Sequence, residues 1–181
     1  MKRLAVTAAV TVAALVATPA LAALKAGDKA PDFTAQGFQA GKALTFSLAE
    51  ARKKGPVVLY FFPAADTAGC NLEAKMFADA IPQFSASGAT VIGVTAGKLD
   101  KLQQISADTD KCSGKFPVAA DPGAKIAKSY DSVMMAKPDW SDRTSYVIAP
   151  NGTVLHSYSK MDPTEHVSQT LAAVKAFKAK K

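Results

Sequence analysis

The stretch Pro63-Ala64-Ala65-Asp66-Thr67-Ala68-Gly69-Cys70 follows the apolar run Val57-Val58-Leu59-Tyr60-Phe61-Phe62 and precedes a helical pattern. The apolar run is continuous rather than alternating, as in a central strand covered on both faces. Behind it, Cys70, Ala74, Phe77, Ile81 and Phe84 recur at helical spacing and define one inward face. The stretch therefore sets one thiol where a strand hands over to a helix N-terminus, with no second cysteine close by. Thiolate is the reactive form of cysteine, and a helix N-terminus favours negative charge.

Working outward, Pro82 is expected to bend this helix and Ser87-Gly88 to end it, with Thr90 to Thr95 as the next strand. Strand, helix and strand at these lengths suggest a right-handed βαβ unit. A second helix is expected from near Lys98, with Leu99, Leu102 and Ile105 inward. A short strand, Phe116 to Ala120, a turn at Asp121-Pro122-Gly123 and a helix from Ala124 to Tyr130 follow. Ser145 to Ala149 and Thr153 to Tyr158 flank Pro150-Asn151-Gly152, a strong hairpin signal. Asp162-Pro163-Thr164-Glu165 reads as the start of a last helix that buries Val167, Leu171, Val174 and Phe177. Residues 23–55 read as an N-terminal extension, in which Ser47 and Glu50 have capping-box spacing. The order predicts an α/β, thioredoxin-like fold: a central mixed sheet flanked by helices. A thioredoxin would carry C-x-x-C after its first strand; here Thr67 stands in the first cysteine's place, which removes dithiol exchange and leaves a lone thiol beside a hydroxyl.

The chain ends bound the class. Lys2 and Arg3, the apolar stretch Leu4 to Ala17, Thr18-Pro19 and the small-x-small site Ala20-Leu21-Ala22 read as a secretory signal peptide, residues 1–22. The stretch is short for a membrane span, which takes about 20 apolar residues. Cleavage leaves one domain, residues 23–181, with no stable membrane association and a periplasmic or secreted location. The remainder keeps a net charge of +5, much of it in Lys175, Lys178, Lys180 and Lys181, as a solvated helix end would. No arginine-rich stripe or interleaved aromatics argue for nucleic acid. Two cysteines in an exported chain also fit a plain structural disulfide. His156 and His166 lack metal-ligand spacing, no phosphate loop or haem-attachment motif is present, and no cofactor is called for.

Pro63-x-x-x-Thr67-x-x-Cys70 resembles the active-site motif of peroxiredoxins. The resemblance covers most of the mature chain. Gly27-Asp28-Lys29-Ala30-Pro31-Asp32-Phe33 looks like the family's N-terminal entry, Phe116-Pro117 with Asp121-Pro122 like its strand and turn, and Arg143-Thr144-Ser145-Tyr146-Val147-Ile148 like the strand bearing the active-site arginine. Cys70-x-x-Glu73-Ala74 is similar to the peroxiredoxin Q, or bacterioferritin comigratory protein, subgroup; Ala68 and Asn71 depart from its usual proline and threonine. The resemblance implies a thiol peroxidase acting on hydrogen peroxide and organic hydroperoxides. Cys70 would be peroxidatic, Thr67 and Arg143 would assist it, Pro63 would shield it, and a thioredoxin-like or other thiol reductant would regenerate it.

Such chemistry needs a thiolate. An unperturbed thiol is only about 3% ionised at pH 7, and making it mostly thiolate takes roughly 3.4 kcal/mol of selective anion stabilisation. A helix terminus supplies about 0.3–2 kcal/mol. Arg143, which cannot lose its proton and presents fixed donors, is the candidate for the rest. Pro63 also serves to end the strand, Thr67 also serves as a helix N-cap, and Glu73 reads as a first-turn helix residue. Trp140, just before Arg143, reads as packing and His156 as structural.

The sulfenic acid must then be resolved. Many relatives place a resolving cysteine five residues on, where this chain has Lys75. The resemblance points instead to Cys112, leaving open a bystander Cys112 or a permanent bridge. Bridging needs Cα atoms within about 4.4–6.8 Å, so the helix start and Ser106 to Cys112 are expected to unwind. Ser106-Ala107-Asp108-Thr109-Asp110 is poor helix sequence and is expected to move at little cost. Closing that loop would contribute roughly 4 kcal/mol whether the bridge is catalytic or structural; reducibility separates the two. A redox-inert thioredoxin-like binding module with a structural disulfide, and an exported thiol–disulfide exchanger, are the competing readings.

Overall fold

The computed structural model describes residues 23–97 and 99–180; the expected signal peptide lies outside the described residues. In chain order the elements are β1 (Thr34–Gln39), β2 (Lys42–Ser47), α1 (Leu48–Lys54), β3 (Val57–Phe61), α2 (Ala68–Ala86), β4 (Thr90–Thr95), α3 (Leu99–Ala107), β5 (Val118–Ala120), α4 (Lys125–Ser129), β6 (Val133–Met134), β7 (Lys137–Ser141), β8 (Thr144–Ile148), β9 (Val154–Ser159) and α5 (His166–Lys178). Seven strands form one sheet in the order β2-β1-β5-β4-β3-β8-β9. β3 runs parallel to β4 and β4 to β5; β8 lies antiparallel to β3, as do β9 to β8 and β1 to β5. This is the mixed, helix-flanked sheet of a thioredoxin-like fold.

β3 is buried throughout, as its unbroken apolar run requires. Its alternation divides the interior in two. Val58, Tyr60 and Phe62 meet Phe77 and Phe84 of α2, Leu102 of α3 and Val174 of α5. Val57, Leu59 and Phe61 meet Leu48, Ala127, Tyr130 and Tyr146 on the other face. Both cysteines belong to the first layer. Tyr60 stacks on Phe77 with ring centroids 4.4 Å apart, and the room for its phenol comes from Gly93, where a Cβ would fall 2.6–2.9 Å from the Tyr60 ring and hydroxyl.

Several expectations change. Residues 23–55 are not an extension: the β1–β2 hairpin is the sheet edge, joined through β1 to β5, and α1 closes one core layer. Ser47 caps α1, accepting from the Glu50 amide at 3.4 Å. α2 is unbroken at Pro82, with Ala78, Ala80 and Phe84 buried on the turns around it. Leu99, expected inward, is 39% exposed; Leu102 and Ile105 carry the α3 contact. β5 is shorter than Phe116 to Ala120, and the small β6–β7 hairpin had no alternating signal to reveal it. Asp162 accepts from the Thr164 amide and hydroxyl at 2.9 and 2.7 Å, which makes a turn rather than a helix start. α5 consequently begins at His166. Its basic end is partly docked: Lys178 Nζ donates to the Ala86 carbonyl at 2.7 Å and Lys175 to Gln83 at 3.3 Å, placing cations at the C-terminus of α2.

Candidate active site

The loop Phe62–Thr67 carries the chain from β3 into α2, turning through Asp66 in the left-handed region (φ 66°). Cys70 falls in the first turn of α2 and is buried. Its thiol meets the end of Arg143, which enters from the residue preceding β8, the strand beside β3. Three contacts fix the guanidinium: Nε donates to the Met161 carbonyl at 2.9 Å, Nη1 pairs with Glu73 Oε2, and Nη2 donates to Cys70 Sγ at 3.4 Å. Arg143 is 4% and Cys70 4% exposed, so this contact works in a low-dielectric setting where a donated hydrogen bond to an anion is strong. Gly69 leaves room for the approach: a Cβ there would touch Nη2 at 3.4 Å.

Glu73 corrects the sequence reading. It sits one turn beyond Cys70, past the first turn of α2, fully buried and paired with Arg143. Burial pushes its carboxyl up to about 8 against the downward pull of the Arg143 guanidinium. The i, i+3 spacing of Cys70 and Glu73 on one helix face was the available signal. His166, considered in the sequence only for metal-ligand spacing, lies behind the Arg143–Glu73 pair. Its Nδ1 lies 2.8 Å from Ser145 Oγ and 3.7 Å from Glu73 Oε1, and its Nε2 lies 2.9 Å from the Lys160 carbonyl.

Thr67 occupies the N-cap position of α2, but its hydroxyl makes no capping bond; it is exposed and donates to the Ala64 carbonyl at 3.3 Å. Pro63 is half-buried and lines a cavity of about 210 Å³ with Ala64, Ala65, Ala96, Gly97, Lys101 and Trp140. Trp140 is therefore not plain packing: it is 41% exposed, with Lys137 Nζ 4.5 Å from its ring centroid. His156 is half-buried in β9 and burial pulls its imidazole down.

Cys112 is fully buried with a free thiol, as is Cys70. Burial pushes the Cys112 thiol up to about 12, with the Asp108 carboxylate adding to the effect and Lys111 opposing it. It sits in a turn closed by Ser113 N to Asp108 O at 2.8 Å and Gly114 N to Ser106 O at 2.8 Å. Ser106, expected to move at little cost, is fully buried and donates to Gln103 O while accepting from the Gly41 amide at 2.9 Å. The two cysteine loops are clasped by Lys111, whose Nζ lies 3.0 Å from Asp66 and 3.1 Å from Asp108. Among the described residues no His, Cys, Asp and Glu cluster could hold a metal ion, and no helix is long and apolar enough to cross a membrane.

A buried thiol in the first turn of α2, beside the central strand of a thioredoxin-like sheet and with an arginine donating to it, sets a single nucleophile where a thioredoxin carries a dithiol motif. Comparison with known proteins gives the family. The AhpC/TSA family matches residues 26–157. Peroxiredoxin Q of Arabidopsis thaliana chloroplasts is 35% identical over 154 residues, covering 83% of this chain and 67% of that one. Its rice counterpart (Oryza sativa subsp. japonica) is 31% identical over 152 residues, with coverage of 83% and 67%. The crystal structure of the peroxidoxin BcpB from Mycobacterium tuberculosis superposes with a TM-score of 0.75 at 26% identity, covering 84% of this chain and 97% of that one. The chain belongs to the AhpC/TSA family of peroxiredoxins. It is a thiol-dependent peroxidase, taking a peroxide as substrate and a thiol as reductant.

Proposed function

We propose that the protein is an exported peroxiredoxin in which Cys70 reduces hydrogen peroxide and organic hydroperoxides and Cys112 resolves the product by an intramolecular disulfide. The observation that carries this reading is the 3.4 Å contact from Arg143 Nη2 to Cys70 Sγ, buried and fixed by Glu73 and Met161. The Cys70 thiolate attacks one peroxide oxygen. A sulfur–oxygen bond forms, the O–O bond breaks, and the second oxygen leaves as hydroxide or alkoxide. Arg143 acts where charge develops, on the sulfur before attack and on the departing oxygen during it. Pro63, lacking an amide donor, bounds the entrance, and the Thr67 hydroxyl stands at the end of the same loop, where α2 begins.

The thiol of Cys112 then attacks the sulfenic sulfur of Cys70. The disulfide forms and the sulfenic oxygen leaves as water, taking the thiol proton. Both sulfurs lie in the same core layer, which supports the pairing, and both are held in folded segments, so each segment must rearrange for the bond to form. An external thiol returns the disulfide to two thiols. The leader-like sequence of residues 1–22 supports a periplasmic or secreted setting, where a thioredoxin-like protein of that compartment is the fitting reductant.

The test is a thiol titration of reduced residues 23–181 with one equivalent of peroxide. This reading expects both thiols to disappear together, Cys70→Ser to abolish the loss, and Cys112→Ser to leave a sulfenic acid on Cys70 that a dimedone probe captures. Retention of both thiols, or a bridge that forms without peroxide and resists mild reductant, would favour the inert binding module instead.

A further inference from the structure

Behind Arg143 the site continues into a buried polar chain that the peroxide chemistry leaves unused. Glu73 gives Oε2 to Arg143, while its Oε1 is buried with no hydrogen-bond partner. His166 Nδ1 lies 3.7 Å from that oxygen, and both residues are 0% exposed. The Lys160 carbonyl, 2.9 Å from Nε2, can only accept, so Nε2 carries a proton. In the neutral ring Nδ1 is then an acceptor, and the Ser145 hydroxyl at 2.8 Å donates to it. One additional proton placed between Nδ1 and Oε1 would satisfy the orphaned carboxylate oxygen.

We propose that His166 is a positioning residue for Arg143: His166 and Glu73 hold one proton between them, and that proton decides how fully the Arg143 guanidinium acts on Cys70. With the proton bound, the pair is neutral overall and the guanidinium charge is directed to the sulfur. With it gone, a bare Glu73 carboxylate draws that charge away. The inference rests on the peroxidatic role of Cys70. The groups facing His166 are few. Glu73 approaches from α2. Arg143 and Asp142 lie just before β8, and Ser145 is on it. Tyr158 of β9 stands edge-on at 4.9 Å, and Lys160 and Asp162 belong to the turn before α5. Glu165 is engaged by the Tyr158 hydroxyl. Burial lowers the imidazole and raises the carboxyl, in the sense of holding the proton nearer the carboxylate.

The experiment is an NMR titration of the reduced protein carrying ¹⁵N-labelled histidine and ¹³C-labelled glutamate, paired with the pH profile of its reaction with hydrogen peroxide. The chain has two histidines, so a His156→Gln sample assigns the spectrum. The Glu73 carboxyl and His166 ring signals are expected to move together with one midpoint, matching the alkaline fall in the peroxide rate. In His166→Gln, which cannot take up the proton, the Glu73 midpoint and the alkaline fall should both shift down by about one pH unit. A Glu73 signal that is flat, or that moves while His166 stays still, overturns the proposal, as does a His166→Gln profile that superposes on the parent. If His166→Gln does not fold, the titration of the parent protein decides alone. If the parent consumes no peroxide, the peroxidatic reading fails, while the shared midpoint still decides whether the proton is shared.

Discussion

Arg143 is held by the Met161 carbonyl, ahead of α5, and by a carboxylate and a sulfur three residues apart on α2, so its geometry is over-determined. Replacing it with alanine removes the donor aimed at Cys70 and should slow the reaction with peroxide by about 10²–10³-fold, read by stopped-flow fluorescence. Arg143→Lys should recover little, because one ammonium cannot serve three acceptors in a planar fork. The same change leaves Glu73 buried without its partner, so Arg143→Ala should also lower the unfolding midpoint. Glu73 sets a pH dependence of stability. Its folded carboxyl titrates near 8 against a reference of 4.5, so the folded chain binds the proton more tightly than the unfolded chain. That contribution is full below pH 4.5 and is lost as pH rises through 8. The urea midpoint of the parent should therefore fall relative to that of Glu73→Gln as pH is raised across that window. An unchanged difference would show that the carboxyl is not so perturbed. At this scale the sequence pointed to Cys70, Thr67 and Pro63 through one local motif and to Arg143 through a separate strand 73 residues on; the structure brings Arg143 to Cys70, while the Thr67 hydroxyl turns to the Ala64 carbonyl. The pairing of Glu73 with Arg143 and the place of His166 were not legible, since their partners come from β8 and the segments beside it; the i, i+3 spacing from Cys70 marked only the face that Glu73 shares.

At the scale of elements, the strand–helix junction works because β3 is apolar on both faces and α2 lays Phe77 and Phe84 across one of them. Tyr60 fits under α2 only because Gly93 on the parallel neighbour has no side chain. Gly93→Ala should force the stacked Tyr60–Phe77 pair apart and cost about 1–3 kcal/mol, measured by urea unfolding. A neutral result would mean that the aromatic layer tilts freely. These central elements were legible because period and continuity mark them. The edge was not: β1 and β2 carry weak alternation, and only the pairing of β1 with β5, whose partners lie 80 and 82 residues on (Phe38 with Val118, Gly37 with Ala119), makes them part of the sheet. The start of α5 was misread for a local reason, since Asp162 spends its carboxylate on a turn at Thr164 and leaves the helix to begin three residues later.

Across the whole molecule, the reduced state is a closed one. Cys112 is sealed by Ser106 and its turn, and Lys111 ties that turn to Asp66 beside the catalytic loop. The proposed Cys70–Cys112 bond is expected to loosen both segments. Amide exchange should accordingly quicken in residues 68–72 and 106–115 on oxidation, with β3 and β4 unchanged; uniform protection in both states would argue for a different resolving thiol. All of this serves one claim, that the sulfur of Cys70 in the grip of Arg143 is what cleaves the peroxide bond. Rapid mixing of reduced protein with an equivalent of hydrogen peroxide, following consumption of the oxidant, tests it most directly. The parent and Cys112→Ser should each consume it in a single fast phase and Cys70→Ser should not react; equal consumption by Cys70→Ser, or none by the parent, would contradict the account.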